Sequence, residues 1–220
     1  MPQDEIVYFD TPRSATLFDD AQTKSHFWTI CRYFVSERFM TYCGVATGVT
    51  LLNSLSVPAP DVPQVYPYKM FTQDNLFTDE VLKIRRPHDI EQNGNTLDQL
   101  AEILQTFEVR VEALHADQLN LESFRSLAID VLESADRRLA VDFDRGVLGQ
   151  KGSGHFSPLA AYHSGEDRLL LMDVARYKLP SCWVTTRDLW NAINTIDSVS
   201  NRTRGLLVIT RKENKTAETT

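Results

Sequence analysis

The chain has 220 residues, 42% of them hydrophobic and 10% aromatic, and a formal net charge of −7. That is ordinary globular composition, and an acidic balance with no Lys/Arg-rich run argues against nucleic acid as a partner. No stretch approaches the ~20 apolar residues of a membrane helix, the start MPQDEIVYFDTPRS lacks the pattern of a signal peptide, and three scattered cysteines (Cys31, Cys43, Cys182) offer no close metal-ligand spacing.

In chain order, residues 1–14 are polar and read as irregular. Residues 17–34 carry apolar side chains at Leu17, Phe18, Ala21, Phe27, Trp28, Ile30 and Phe34, the pattern of two short helices, with Cys31 expected in the core. After Cys43, the positions Val45, Val49, Leu51, Leu52 and Leu55 predict a buried helix of about three turns, ended by Pro58, Pro60 and Pro63. Short helical pieces are expected over 73–77 and 78–84. Thr96 reads as the N-cap of a helix whose apolar face is Leu97, Leu100, Ala101 and Leu104.

Val109, Val111 and Ala113 alternate as in a strand, and 121–134 is amphipathic. The remainder is mostly strand: LAVDFD, HFSPLAAYH, RLLLMDVA and GLLVITR, with Gly165–Glu166–Asp167 joining the middle two as a hairpin and a short helix over 188–196. Helices first and strands later make an α+β fold, a helical N-terminal half packed on an antiparallel sheet from the C-terminal half. One domain spans 1–211, followed by a polar tail over 212–220.

Three residues stand out chemically. Cys43 opens a helix, where the macrodipole and free N–H groups favour a thiolate and where its own N–H can hold an oxyanion. His155 follows the glycine-rich GQKGSG and begins a strand. Asp173 ends an apolar strand, where a carboxylate needs a partner. From His155 to the turn near Gly165 is about ten residues and from there to Asp173 about eight, so the two fall near one end of an antiparallel ladder. Asp173 can then orient His155 beside Cys43, in the chain order Cys, His, Asp. A buried packing cysteine and a structural histidine are the plain alternatives, and position alone does not remove them.

The stretches TYCGVATGVTLLNSL, YPYKMFTQDNLFT, VLGQKGSGHFSPLAAYH and LLLMDVARYKLPSCWVTTRDLW resemble the phytochelatin synthases, above all their short prokaryotic members, across roughly 17–209. The resemblance implies a papain-like fold with Cys43 as nucleophile, His155 as general acid/base and Asp173 as its orienting partner. It implies attack on the Cys–Gly amide of glutathione, release of glycine, and a thioester that water resolves to γ-glutamylcysteine or a second glutathione to a phytochelatin. It carries Arg145, Gly154, Arg176 and Lys178 over as substrate-binding residues and 73–75 as a supporting element.

It also implies a homodimer, no required cofactor, and stimulation by cadmium or zinc through metal–thiolate glutathione. A reducing cytoplasm suits such a thiol and such a substrate. The family's glutamine six residues before the nucleophile, an oxyanion donor, is Glu37 here, which an ionised carboxylate would not replace. The cysteine-rich C-terminal region of the plant enzymes has no counterpart in this sequence, so hydrolysis is expected ahead of metal-driven polymerisation, with a non-catalytic γ-glutamyl binder and a papain-like protease of polypeptides as further alternatives.

Overall fold

A computed structural model describes residues 6–212. In chain order the elements are β1 (Val7–Tyr8), α1 (Pro12–Asp20), α2 (Ser25–Tyr33), α3 (Cys43–Ser54), α4 (Asp79–Ile84), α5 (Pro87–Asn93), α6 (Leu97–Gln105), β2 (Val109–His115), α7 (Leu121–Glu133), β3 (Arg137–Asp144), β4 (Gly154–His163), β5 (Arg168–Leu171), β6 (Cys182–Thr185), α8 (Thr186–Ile193), β7 (Ile196–Asp197), β8 (Arg202–Thr203) and β9 (Gly205–Arg211). The fold is α+β. Seven strands form one antiparallel sheet in the order β1-β6-β5-β4-β3-β9-β2, and β7 pairs β8 apart from it.

The strand side chains alternate between two cores. Along β3, Ala140 joins the core under α1–α6, while Leu139, Val141 and Phe143 join the core under α7 and α8. The same split divides Leu170 from Leu169 and Leu171. Period-two alternation with apolar residues on both faces is what a sheet covered on both sides requires. The helical first half therefore covers one face, as the sequence suggests, and the two later helices cover the other.

Helix α3 is the centre of the first core, with all twelve of its residues buried. Its glycines set the packing distance. A Cβ on Gly48 would lie 3.0 Å from a methyl of Leu104, and one on Gly44 would lie 3.2 Å from Asn95 Nδ2, so α6 approaches α3 only because these positions are bare. Thr96 caps α6 through a capping box completed by Gln99.

Several sequence-based expectations need correction. Residues 7–8 and 12–20 are structured, since Thr11 caps α1 and Pro12 opens it, and β1 pairs β6. Residues 73–77 form turns rather than a helix, because Asn75 Oδ1 takes the Thr72 N–H and competes with helical pairing. Cys31 is exposed, on the outward face of α2. Apart from Lys212, the tail assigned to 212–220 lies outside the described residues.

Candidate active site

Cys43 is the first residue of α3, and β4 passes over that helix start with Thr47 Oγ1 donating to the Phe156 carbonyl at 3.2 Å. His155 is the second residue of β4, opposite Phe143, whose ring meets the imidazole edge-on at 5.7 Å. Strand β5 ends at Leu171, and the chain leaves the ladder to bring Asp173 under the imidazole. His155 Nε2 donates to Asp173 Oδ1 at 3.0 Å. An ionised carboxylate only accepts, so the ring proton sits on Nε2 and Nδ1 is left with a lone pair.

Asp173 is fully buried, and three donors converge on its Oδ1: His155, the Ala175 N–H at 2.9 Å and the Arg145 guanidinium at 2.7 Å. Burial pushes this carboxyl up, but the bonds from His155 and Arg145 outweigh it and hold it down at about 2. The imidazole pKa is lowered, first by burial and then by the Arg145 and Lys178 charges, against the pull of Asp173. His155 is therefore neutral at rest and able to take a proton.

Glu37 completes the corner. It, Cys43 and His155 each bring one side-chain donor atom to within 4.8 Å of the other two. Its N–H bonds the Val174 carbonyl at 2.8 Å, and Gln73 clamps the chain on both sides, accepting from the Arg38 N–H and donating to the Ser36 carbonyl, each at 2.9 Å. The 73–75 turn thus supports the Glu37 backbone. Tyr177 donates to Glu37 Oε1 at 2.7 Å, while Oε2 is buried without a partner.

The thiol departs from the expectation of a lowered pKa. Cys43 is buried, and burial pushes it up to about 12, with the Glu37 and Asp142 carboxyls adding to that and the Phe156 and Gly44 N–H groups opposing it. A helix terminus contributes only ~0.3–1 kcal/mol, less than the desolvation of a thiolate here. The resting state is a thiol beside a neutral imidazole.

A cleft of about 390 Å³ opens on Cys43, within the size range of small-molecule sites. The carried-over basic residues do not line it. Arg145 is buried behind the site and committed to Asp173 and to Gln150 Oε1 at 2.8 Å, so it positions Asp173 and does not face a substrate. Arg176 lies over the Phe34 ring at 5.1 Å and, with Tyr177 and Lys178, lines a second cavity of about 440 Å³.

The cation that lines the cleft with Cys43 is instead Arg204, directly before β9, bonded to Asp142 at 3.0 Å with Asp197 at 4.0 Å. Burial raises the Asp142 carboxyl to about 7 despite Arg204. Gly154 does line the cleft, as a spacer: a Cβ there would lie 2.3 Å from an Arg204 guanidinium nitrogen. Sequence reading assigns Asp142 and Arg204 no role. Their signal was present, an acid inside LAVDFD and a base directly before GLLVI, two buried charges that each demand a partner.

A family profile described as phytochelatin synthase matches residues 1–206. Among similar proteins, glutathione gamma-glutamylcysteinyltransferase 3 of Lotus japonicus is 32% identical over 96% of this chain and 43% of its own length. Glutathione gamma-glutamylcysteinyltransferase 1 of Triticum aestivum is 30% identical over 96% of the chain and 42% of its own length. The glutathione gamma-glutamylcysteinyltransferase of Schizosaccharomyces pombe is 27% identical over 84% and 43%. The chain thus spans about two-fifths of the length of these relatives. No helix of the described residues is long and apolar enough to cross a membrane.

Proposed function

The chain belongs to the phytochelatin synthase family, and from that premise we propose that it cleaves the Cys–Gly amide of glutathione, with Cys43 as nucleophile, His155 as general acid/base and Asp173 as its orienting partner. The observation that carries this reading is the corner itself: a buried thiol at a helix start, with an imidazole held by a buried carboxylate beside it.

Cys43 starts protonated, so attack and proton transfer are coupled. The His155 lone pair takes the thiol proton as sulfur adds to the carbonyl carbon. The Cys43 N–H faces the oxyanion, and Glu37 occupies the side where a second donor would stand. Collapse of the tetrahedral adduct breaks the C–N bond, and His155 returns the proton to the departing glycine amine. Water then attacks the thioester carbonyl as His155 takes its proton, the C–S bond breaks, and that proton passes to the departing Cys43 sulfur, releasing γ-glutamylcysteine.

The γ-glutamyl head of glutathione is a zwitterion, one α-carboxylate beside one α-ammonium. Arg204 flanked by Asp142 and Asp197 is a cation between two carboxyls, and we assign it the recognition of that head. Transfer to a second glutathione, with a cadmium- or zinc-thiolate form as acceptor, is supported by the separate cavity bearing Arg176 and Lys178, two cations suited to a peptide carboxylate.

The test is incubation with glutathione, with and without cadmium, followed by quantification of glycine, γ-glutamylcysteine and longer thiol peptides. Hydrolysis predicts equal glycine and γ-glutamylcysteine, abolished by Cys43→Ala. Longer peptides with cadmium would establish transfer. No glycine under either condition would overturn both and leave a γ-glutamyl binding module.

A further inference from the structure

Glu37 puts an acceptor where the proposed chemistry calls for a donor, and this changes what the corner can hold. Three donor atoms of different kinds meet within 4.8 Å: a thiol sulfur, an imidazole nitrogen and a carboxylate oxygen. All three side chains are buried, and they come from separate parts of the fold: the segment before α3, the start of α3, and β4.

Each can offer a lone pair to a cation, Glu37 and Cys43 on losing the proton that burial favours. Glu37 is only 5% exposed, and its Oε2 has no partner among the described residues, while Oε1 is held by Tyr177. His155 donates its Nε2–H to Asp173, which leaves the Nδ1 lone pair available; a carboxylate behind a histidine is the support that metal-binding imidazoles ordinarily have. Burial keeps the Cys43 sulfur protonated at rest, and the N–H groups of Phe156 and Gly44 oppose that, so a cation need only displace the thiol proton. Arg145, whose charge reaches Glu37 and His155, is committed to Asp173.

We propose that Glu37, Cys43 and His155 form a binding site for one soft divalent cation, of the cadmium or zinc type, which caps the nucleophile in the substrate-free protein. Binding forms a sulfur–metal bond and releases the thiol proton to solvent. Thiolate, carboxylate and neutral imidazole together carry two negative charges, matching the ion. A tetrahedral ion sets its ligand atoms about 3.5 Å apart, so pairs that lie within 4.8 Å of one another close by at most about 1.3 Å, within side-chain adjustment. Thiolate and imidazole select soft and borderline metals over magnesium or calcium. A glutamine at position 37 would remove one of the two charges, so this site depends on the carboxylate at that position. The consequence, inhibition of glycine release by free cation, rests on the hydrolase reading above; the binding itself does not.

The test titrates cadmium alone into the full chain without glutathione and follows the ultraviolet cadmium–thiolate charge-transfer band. Glu37→Gln and Cys43→Ala run beside it, with Cys43→Ser serving the same comparison should the alanine variant not fold. The exposed Cys31 contributes equally to every sample, so the Cys43-dependent difference is the reading. One saturable ion per chain is expected in that difference, with a dissociation constant raised at least about tenfold in Glu37→Gln. A wild-type band no larger than that of Cys43→Ala, or equal affinity in Glu37→Gln, overturns the site. Without glutathione present, failed hydrolysis leaves a positive binding result standing, and failed binding leaves hydrolysis standing.

Discussion

Replacing Arg145 by methionine is expected to destabilise the protein and to lower turnover without weakening substrate binding. The guanidinium is 2% exposed and sits 2.7 Å from a carboxylate that is fully buried. Methionine fills comparable volume but leaves Asp173 facing a neutral imidazole and one N–H. Removing one partner of a buried pair costs about 3–5 kcal/mol, a large share of a total of about 5–15. Urea unfolding reads this directly: at a slope of about 2–3 kcal/mol/M the midpoint falls by about 1–2.5 M. Without its cation Asp173 takes up a proton more readily, His155 loses the acceptor that fixes its tautomer, and kcat for glycine release falls by at least ~100-fold. KM stays near the wild-type value. Arg145→Lys, which keeps charge without the two-pronged geometry, should fall between the two. An unchanged unfolding midpoint together with a raised KM would refute this reasoning and restore Arg145 to substrate binding.

Three further outcomes follow from the same geometry. Glu37→Gln restores a neutral donor beside the oxyanion and is expected to raise kcat tenfold or more, given that such donors are worth ~10²–10³; slower glycine release would show that Glu37 serves the reaction in another way. Gly154→Ala drives a methyl into the Arg204 guanidinium, 2.3 Å away, so KM for glutathione should rise at least about tenfold while Cys43 keeps its rate of alkylation by iodoacetamide; an unchanged KM would remove Arg204 from recognition. His26 is 2% exposed and donates to the Ser134 carbonyl at 2.6 Å, and burial, then the Arg138 charge, lower its pKa to about 4. Its folded pKa lies below the unfolded 6.5, so the stability is complete above that pH and is lost as pH falls toward about 4, by about 3 kcal/mol. Urea midpoints at pH 7 and pH 4 should differ more for wild type than for His26→Gln, and equal differences would contradict the assignment.

Local pattern carried much of this molecule. The buried helix after Cys43, the Thr96 cap, the strand alternation around Val111 and the hairpin at Gly165 are each written in a few neighbouring residues, because caps, turns and side-chain period are short-range physics. The hairpin count also brought His155 and Asp173 to one end of the sheet before any coordinates. The two-residue β1 was beyond that method, as was β6, since elements of two to four residues exist only through their partners across the sheet.

Charge was where sequence alone stopped. Arg145 and Arg204 look alike in the chain, yet one is sealed behind Asp173 and the other faces the Cys43 cleft. The helix-start argument for Cys43 had the correct sign for a solvated thiol, and desolvation in the fold reversed it. Glu37 could be seen to break a pattern, but not to bring an unpaired oxygen to within reach of Cys43 and His155. Composition and period determine which segments become helix or strand. Burial and long-range pairing, which only the tertiary structure decides, determine what each ionisable group then does.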